Sequence, residues 1–236
     1  MLRSSIKKII NRLGYDIQHL PTEPFIRQQM QLLKKYNINL IFDVGANTGQ
    51  FSSGLRRWGY KGRIVSFEPL PDAYNQLVQN TSLDPLWEPV NLAIGDFDGN
   101  ITLHVSRNSY SSSILEMMPR HLDSAPDSAF IGSELVPIRK IDTIIEQYYN
   151  KKERLFLKID TQGFEKKVIE GCQKTMDSIQ GFQIEMSLFP LYNGETLIQE
   201  MMNYLHGKGY KLRVLEQGHY DYKTGEILQV EGIFFR

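Results

Sequence analysis

The fold of this chain is decided by the stretch Asn39-Leu40-Ile41-Phe42-Asp43-Val44-Gly45-Ala46-Asn47-Thr48-Gly49-Gln50-Phe51. A short apolar run breaks at Asp43, two glycines follow four residues apart, and apolar residues then recur at helical spacing. This order predicts a strand, a tight turn and a helix. Because Gly45 and Gly49 have no Cβ, backbone N–H groups at the start of the helix can approach a bound ligand closely.

The glycine spacing narrows the choice of ligand. The motif reads D-x-G-x-N-x-G, so it lacks both the Lys-Ser/Thr pair of a P-loop and the G-x-G-x-x-G of a dinucleotide site. With no pyrophosphate to bind, an acid is tolerated at the strand end, and we expect Asp43 to meet an ammonium group. The loop, with Gly45, Asn47 and Gly49 as candidate contacts, resembles the cofactor loop of S-adenosylmethionine (SAM)-dependent methyltransferases. A plain strand-to-helix turn is the alternative interpretation.

Composition excludes several classes of protein. The 236 residues are 41% hydrophobic and carry 27 basic and 27 acidic side chains, so no net field favours nucleic acid or anionic lipid. Cys172 is the single cysteine, which excludes an internal disulfide and a thiolate zinc site. No apolar run approaches the roughly 18 residues of a membrane span, and no signal-peptide core is visible. We therefore expect a soluble, cytoplasmic protein that does not bind nucleic acid.

The chain divides into an N-terminal helical segment, residues 1–38, packed on a main domain, residues 39–236. Residues 1–14 form a basic amphipathic pattern that favours a helix packed on this domain or on a partner subunit, so an oligomer stays open. Peripheral contact with an anionic membrane is the alternative, although one such helix binds lipid weakly. Ile26, Met30 and Leu33 indicate a second helix in the core.

Two further strand ends offer cofactor contacts. Glu68 follows the predicted strand Arg63–Phe67 and lies 19 residues after Gly49, where an acid accepts hydrogen bonds from both ribose hydroxyls of a nucleoside. The run Glu88–Ile94 predicts the third strand, whose end lies beside the first strand. We therefore expect an adenine to meet three residues there, Ala93, Ile94 and Asp96, although Asp96 equally suits the following turn.

A long polar stretch, residues 106–133, follows the alternating strand Ile101–Val105. Loops of this length in compact domains are commonly lids or binding loops. We therefore expect a lid that closes over the site, and its serine cluster makes Ser111 and Ser112 candidates for substrate contact. A solvated low-complexity loop is the alternative.

Lys158 is an anomaly in the apolar strand that ends at Asp160. A lysine inside a buried parallel strand is costly unless its ammonium reaches a carboxylate or a cleft. Lys158 and Asp160 are two residues apart and therefore share a face at the functional end of the strand. A structural ion pair is the alternative interpretation.

The remaining elements complete an α/β architecture. The strand Gly181–Ser187 carries Glu185, and two strands, Tyr210–Leu215 and Gln229–Phe235, close the chain. We predict a Rossmann-like, seven-stranded, mostly parallel sheet with an antiparallel C-terminal hairpin.

From about Asn39 to Arg236, the chain resembles the FkbM-type SAM-dependent methyltransferases. Five segments carry the resemblance: Phe42–Gly49, Ser66–Pro69, Asn91–Asp96, Leu157–Glu165 with Gly171, and Glu185 with Pro190–Tyr192. The resemblance implies a class I methyltransferase-like fold, SAM as cofactor and O-methylation of a hydroxyl on a sugar or a polyketide-like natural product. The family most often has glutamate where this chain has Gln162.

We therefore expect a SAM-dependent O-methyltransferase acting on a sugar, a glycoconjugate or a related small molecule. Methyl transfer to a weakly acidic alcohol needs positioning and a base. Asp160 is our candidate base, Lys158 would orient the hydroxyl or stabilise its developing charge, and His104 is the rival base. Tyr192, in the loop after Glu185, would stack on the sugar ring while Glu185 accepts its hydroxyls; a core position is the alternative for this tyrosine and for Phe189.

Two other functional classes remain open at this point. A nucleotide-dependent oxidoreductase is disfavoured by the missing third glycine, and a non-catalytic SAM-binding module is opposed only weakly by the polar strand ends. Asp160 and Glu185 could bind Mg²⁺ as oxygen ligands, but spacing assures no third ligand, and we assign no residue to a metal.

Overall fold

The structure is a computed structural model and describes residues 24–236. The predicted basic helix at residues 1–14 lies outside these residues. The helices of the described range are α1 (Pro24–Lys35), α2 (Gln50–Arg57), α3 (Pro71–Thr81), α4 (Pro119–Ser124), α5 (Ile141–Tyr148), α6 (Glu165–Glu170) and α7 (Ile198–Gly207). The strands are β1 (Leu40–Val44), β2 (Arg63–Phe67), β3 (Trp87–Val90), β4 (Ala93–Ile94), β5 (Gly99–Ser106), β6 (Phe130–Arg139), β7 (Leu155–Ile159), β8 (Ile179–Ser187), β9 (Lys211–Gln217) and β10 (Gln229–Phe235).

The main sheet has seven strands in the order β3-β2-β1-β7-β8-β10-β9. The first five run parallel, whereas β10 pairs antiparallel with both β8 and β9. All five residues of β1 are buried, as expected for a central strand covered on both faces. The predicted fold class, a mostly parallel sheet closed by an antiparallel C-terminal pair, is confirmed.

Helices cover both faces of this sheet. Leu40, Phe42 and Val44 alternate along β1 and pack in the cluster that contains α5, α6 and α7. Ile41 points to the opposite face, where the second cluster contains Leu33 of α1 together with residues of α2 and α3. The result is a three-layer domain whose sheet core is apolar on both sides.

The single strand predicted over Glu88–Ile94 is wrong, because the structure divides this run into β3 and β4. Strand β3 ends at Val90, and Asn91 Nδ2 donates to the carbonyl oxygens of Glu68 and Pro69, at 2.9 and 3.0 Å. These bonds turn the chain off the main sheet. Strand β4 then pairs with β6 in a second, three-stranded sheet of order β4-β6-β5.

The stretch 106–133 is more ordered than its composition predicts. Strand β5 ends at Ser106 and β6 begins at Phe130, so only residues 107–129 connect them, and these include α4 and a 3₁₀ turn. Ser111 Oγ lies 2.9 Å from Ser128 Oγ, and Asn108 Nδ2 donates to both hydroxyls. The serine cluster therefore cross-links the segment. Within residues 24–236, none of the helices has the length and apolar character needed to cross a bilayer.

Candidate active site

A cleft of about 400 Å³ opens at the carboxyl ends of the parallel strands. It lies where β1 is flanked by β2 on one side and β7 on the other, the position at which open α/β sheets bind ligands. Nine of the predicted site residues line it: Gly45, Asn47, Glu68, Ala93, Ile94, Ser112, Lys158, Asp160 and Glu185. We name its two halves the loop end (Gly45, Asn47, Glu68, Ala93, Ile94) and the carboxylate end (Lys158, Asp160, Gln162, Gln183, Glu185, Glu231).

The two glycines of the β1–α2 turn have different roles. Gly45 has a φ of 75°, and a Cβ added there would overlap the carbonyl oxygen of Asp160, so only glycine lets β1 and β7 end this close together. Gly49 has a φ of 90° and packs against Leu77 and Trp87. A Cβ added at Gly49 would lie only 2.8 Å from a side-chain atom of each of these residues. Gly49 is not among the residues that line the cleft, so its role is packing.

The N–H groups of this turn are already bound within the protein. Gly45 and Ala46 donate to the carbonyl oxygen of Phe67 at 3.0 and 3.1 Å, and Asn47 donates to Glu68 Oε2 at 2.8 Å. The expected presentation of backbone N–H groups to a ligand is therefore absent at these three residues. The turn contributes a close approach of backbone instead.

Glu68 fits a nucleoside diol. Its side chain is buried, and its two oxygens accept hydrogen bonds from Asn47 N–H and Leu70 N–H, each at 2.8 Å. Burial raises the pKa of Glu68 to about 7, although the two N–H donors act against this rise. The carboxylate is thus fixed in position at the cleft wall and retains acceptor capacity for ribose hydroxyls, while apolar Ala93 and Ile94 line the wall beyond it.

The ammonium group that Asp43 meets in the structure is that of Lys158, and Asp43 itself does not line the cleft. Asp43 is fully buried beneath the cleft, where Oδ2 accepts from Ser52 Oγ at 2.8 Å and from Ser66 Oγ at 3.1 Å. Its Oδ1 lies 3.7 Å from Lys158 Nζ and makes no hydrogen bond among the described residues. Burial raises the pKa of Asp43, against the effect of the lysine. Asp43 therefore supports Lys158 from below.

Lys158 and Asp160 form the centre of the carboxylate end. Lys158 Nζ lies 3.2 Å from Asp160 Oδ2 and 3.5 Å from the carbonyl oxygen of Gly45. Burial alone would lower the pKa of Lys158, but the carboxylates of Asp160 and Asp43 outweigh it and raise the pKa above its usual range. The ammonium stays charged beside the turn, and the two residues share one face of β7 as predicted from their spacing.

Sequence reasoning assigned no site role to Gln162, and its contacts are central. Gln162 Nε2 donates to Asp160 Oδ1 and to Glu185 Oε2, each at 2.8 Å, while Tyr192 Oη donates to Gln162 Oε1 at 2.8 Å. Gln229 Nε2 adds a second donor to Glu185 Oε2 at 2.9 Å. One amide thus joins two acids and a tyrosine from three separate elements.

Glu231 was also missed. It lies opposite Glu185 in the antiparallel β8–β10 pair, and Gln183 Nε2 donates to its Oε1 at 2.8 Å. Burial and the neighbouring Asp160 raise the pKa of Glu231 to about 7, and burial followed by Asp160 raises that of Glu185 well above its usual range. A signal in the sequence was an acid within the mostly apolar strand Gln229–Phe235, but its pairing with Glu185 appears only in the structure.

Several predicted residues do not reach the cleft. Asp96 pairs with Lys167 Nζ at 3.0 Å, and His104 Nε2 lies 3.3 Å from Glu116 Oε1 while its ring stacks on Phe130. The geometry therefore favours Asp160 over His104 as a base. Ser111 is buried in the serine cluster.

The prediction that Tyr192 offers its ring to a sugar in the cleft is wrong. Tyr192 is fully buried, because the loop after β8 folds inward. Its hydroxyl contacts Gln162, and its ring meets that of His121 in an edge-to-face arrangement. Phe189 lies outside the cleft lining as well, with the guanidinium carbon of Arg120 3.8 Å from the centre of its ring.

No group of three or more His, Cys, Asp or Glu side chains among residues 24–236 is arranged to hold a metal ion. The carboxylates that line the carboxylate end instead accept hydrogen bonds from amides or lie beside the Lys158 ammonium, as Asp160 does with both Gln162 and Lys158.

Fold and site together define a class I methyltransferase. Its marks here are an open seven-stranded sheet ending in antiparallel strands, a glycine turn after β1 and a buried acid after β2. The chain belongs to the FkbM methyltransferase family, because that family's methyltransferase FkbM domain matches residues 43–212. It is therefore a SAM-dependent methyltransferase, and the oxidoreductase and the non-catalytic alternatives are set aside.

Two individual proteins are also similar to this chain. Methyltransferase sdnD of Sordaria araneosa is 26% identical over 190 residues, which cover 71% of this chain and 68% of that protein. The crystal structure of a methyltransferase FkbM from Methylobacillus flagellatus KT matches with a TM-score of 0.51 at 15% identity and covers 83% of this chain. The chain spans 43% of that bacterial protein, and this second likeness shows the shared fold alone.

Proposed function

We propose that this methyltransferase transfers its methyl group to a hydroxyl oxygen of a sugar, a glycoconjugate or a related small molecule. The supporting observation is the pair of Asp160 and Lys158, 3.2 Å apart and next to the cofactor turn at Gly45. This pair supplies a carboxylate and a cation at one point of the cleft, which is what removal of a proton from an alcohol requires.

The chemistry divides between cofactor and protein. Bound SAM would supply an electrophilic methyl group on a sulfonium, with Glu68 and the Gly45 turn holding its nucleoside part. Asp160 would accept the hydroxyl proton, and Lys158 would stabilise negative charge on the oxygen as the proton leaves. Gln162 occupies Asp160 Oδ1 and Lys158 lies beside Oδ2, so the carboxylate is held in one orientation before the acceptor arrives.

The polar lining of the carboxylate end supports a hydroxyl-rich acceptor. Gln183, Glu185 and Glu231 line the cleft with amide and carboxylate groups, and such groups can donate to or accept from several hydroxyls of one ring. Ser112 lies on the same lining and would add a contact from the segment 107–129. We keep the proposal that this segment closes over the bound acceptor and excludes water.

The other expectations from the sequence also stand as proposals. They are a cytoplasmic location, a small-molecule or glycan acceptor, no nucleic-acid partner, and the option of an oligomer. Peripheral membrane contact through residues 1–14 concerns a part of the chain outside the described range. Divalent metal dependence stays open, with no residue assigned to it.

The site of methylation tests this proposal directly. The purified chain would be incubated with SAM carrying an isotopically labelled methyl group and with three matched acceptors: a sugar with free hydroxyls, its fully O-blocked form, and an amino sugar whose hydroxyls are blocked. Mass spectrometry and NMR should find a methyl ether from the first acceptor only. Label on nitrogen or carbon, with no methyl ether from any hydroxyl-bearing acceptor, would overturn O-methylation.

A further inference from the structure

Strand β6 has an open edge. It is the middle strand of the three-stranded sheet, and β5 pairs with it from Phe130 to Ile138. On its other side, β4 pairs only with Ile138 and Arg139. Residues 131–135 are all exposed, and within residues 24–236 no backbone hydrogen bond reaches them from outside the β5–β6 pair. An edge of this kind offers unpaired N–H and C=O groups to another strand.

The alternation of the β5–β6 pair shows which backbone groups point outward. His104 exchanges two backbone hydrogen bonds with Ser113, at 2.8 and 3.1 Å, so its N–H and C=O point away from β6. The residue opposite His104 in β6 is Ser133, and this antiparallel pair is therefore of the non-hydrogen-bonded type. The N–H and C=O of Ser133 consequently point away from β5, toward the open edge.

The outer edge of β5 is covered, in contrast to that of β6. His104 is bound to Ser113, and the Ser106 N–H donates to Ser112 Oγ at 3.0 Å, so the segment 107–129 occupies this edge. Within the small sheet, the edge open to a second copy of the chain is thus that of β6. Pairing of β6 with β6 uses the same surface on both copies and closes after two chains.

The sequence of β6 is complementary to itself about Ser133. In an antiparallel pair centred on this residue, Ile131 of one copy faces Leu135 of the other, and Glu134 faces Gly132. Ile131 and Leu135 are 62% and 72% exposed, so the pairing would cover four apolar side chains in two matched pairs. Each glutamate meets a glycine and not the glutamate of the other copy, and no lysine or proline lies within the stretch to block pairing.

We infer that β6 pairs with β6 of a second copy of this chain, antiparallel and centred on Ser133. The pairing stretch is short, because the β5–β6 register shifts between Phe130 and Gly132 and because Pro137 has no N–H to donate. An interface smaller than about 1,200 Å² is typical of weak association, so we expect a dissociation constant on the order of 10 µM. The inference uses no cleft residue as an interface residue and does not rest on the proposed function.

Sedimentation velocity of the purified chain tests the interface. Between about 1 and 200 µM, the parent should shift from monomer to dimer. Leu135→Lys should raise the dissociation constant by about tenfold, because both copies of its pair with Ile131 are lost. The matched control is Leu83→Lys, the same change at a 96% exposed leucine in the turn after α3, which should leave dimerisation unchanged.

Three outcomes of this measurement would overturn the inference. They are a parent that stays monomeric over the whole range, a dimer that Leu135→Lys does not weaken, and an equal loss of dimer in Leu135→Lys and Leu83→Lys. A dimer that Leu135→Lys leaves intact would place the interface elsewhere on the chain.

Mixing two variants tests the register and guards against a folding defect. Ile131→Glu and Leu135→Lys should each dimerise about tenfold more weakly than the parent when alone. In an equal mixture, the introduced acid of one variant faces the introduced lysine of the other, so a heterodimer should form with an affinity within about threefold of the parent's. Its formation supports the inference, since both variants must then be folded. Failure of two variants that melt like the parent to form it would overturn the pairing centred on Ser133.

Discussion

The two ends of the cleft are built in different ways. At the loop end, Gly45, Asn47 and Glu68 lie within one βαβ unit, and the backbone sets the geometry. At the carboxylate end, Glu185 and Glu231 lie on two strands and Asp160 directly follows a third, and side chains hold one another in place. The comparison teaches that the proposed cofactor site depends on local chain geometry, whereas the proposed acceptor site depends on long-range assembly.

The sharpest test of this division is Asp160→Asn, which we expect to have the largest effect. Turnover with a confirmed acceptor should fall by about 10²–10⁴, the range for loss of a general base, while SAM affinity stays close to that of the parent. Single-turnover kinetics and calorimetry separate the two quantities. Methyl transfer at the parent rate would show that Asp160 is not the base, and His104 would become the next residue to test.

Gly45→Ala should damage both ends together, because this residue joins them. The added Cβ would overlap the Asp160 carbonyl oxygen at a φ of 75°, so we expect a loss of about 2–4 kcal/mol in the free energy of unfolding. Gly194→Ala is the control: its φ is 80°, but an added Cβ meets nothing within 4 Å. That control should cost about 1–2 kcal/mol by denaturant unfolding. Equal losses would show that the close approach of β1 and β7 is not the cause.

Glu68→Ala should affect the loop end alone. Removing the carboxylate leaves ribose hydroxyls without their charged acceptor, so SAM binding should weaken by about 1–3 kcal/mol in calorimetry. Once SAM is saturating, turnover should return to within about threefold of the parent, because Asp160 and Lys158 are untouched. A loss of turnover that excess SAM does not restore would break the proposed division between the two ends.

The smallest expected effect is a change in how stability depends on pH, caused by Glu231 at the carboxylate end. The pKa of Glu231 is raised to about 7, so the folded protein binds more protons than the unfolded chain from about pH 4.5 to 7, and unfolding free energy falls as pH rises through this window. Glu231→Gln should remove this loss. Between pH 5 and pH 8, its unfolding free energy should therefore rise by about 1–2 kcal/mol relative to that of the cofactor-free parent. Glu134→Gln, at an exposed position, is the control and should show no such gain. Parallel curves for Glu231→Gln and its parent would contradict the assignment.

The same division explains how far the sequence could predict the site. The sequence predicted that Gly45, Asn47 and Glu68 lie at one site, and all three line the cleft. This was possible because one local motif determines the strand, the turn and the end of the next strand. Lys158 was found from the cost of burying an ammonium inside a strand. Asp43 could not be placed, because Ser52 and Ser66 become its partners only when α2 and β2 pack on β1.

The carboxylate end was only partly predictable. Glu231 was missed because no local pattern tells that β10 inserts between β8 and β9 and brings it opposite Glu185. Tyr192 was misplaced because its burial depends on the inward fold of a loop, which its composition does not reveal. The strand Glu88–Ile94 was predicted too long because the bonds of Asn91 to the preceding loop override its apolar pattern.

The pairing of β1 with β7 has a consequence for how quickly the protein folds. Asn39 Oδ1 accepts from the backbone N–H of Arg154, 115 residues further along the chain. Pairings between such distant segments slow folding, because the entropy of closing the intervening loop is lost before the contacts are gained. Strands β1, β2 and β3 can assemble first, which would leave the edge of β1 open to pairing with other chains. Heterologous expression should therefore benefit from slow synthesis at low temperature.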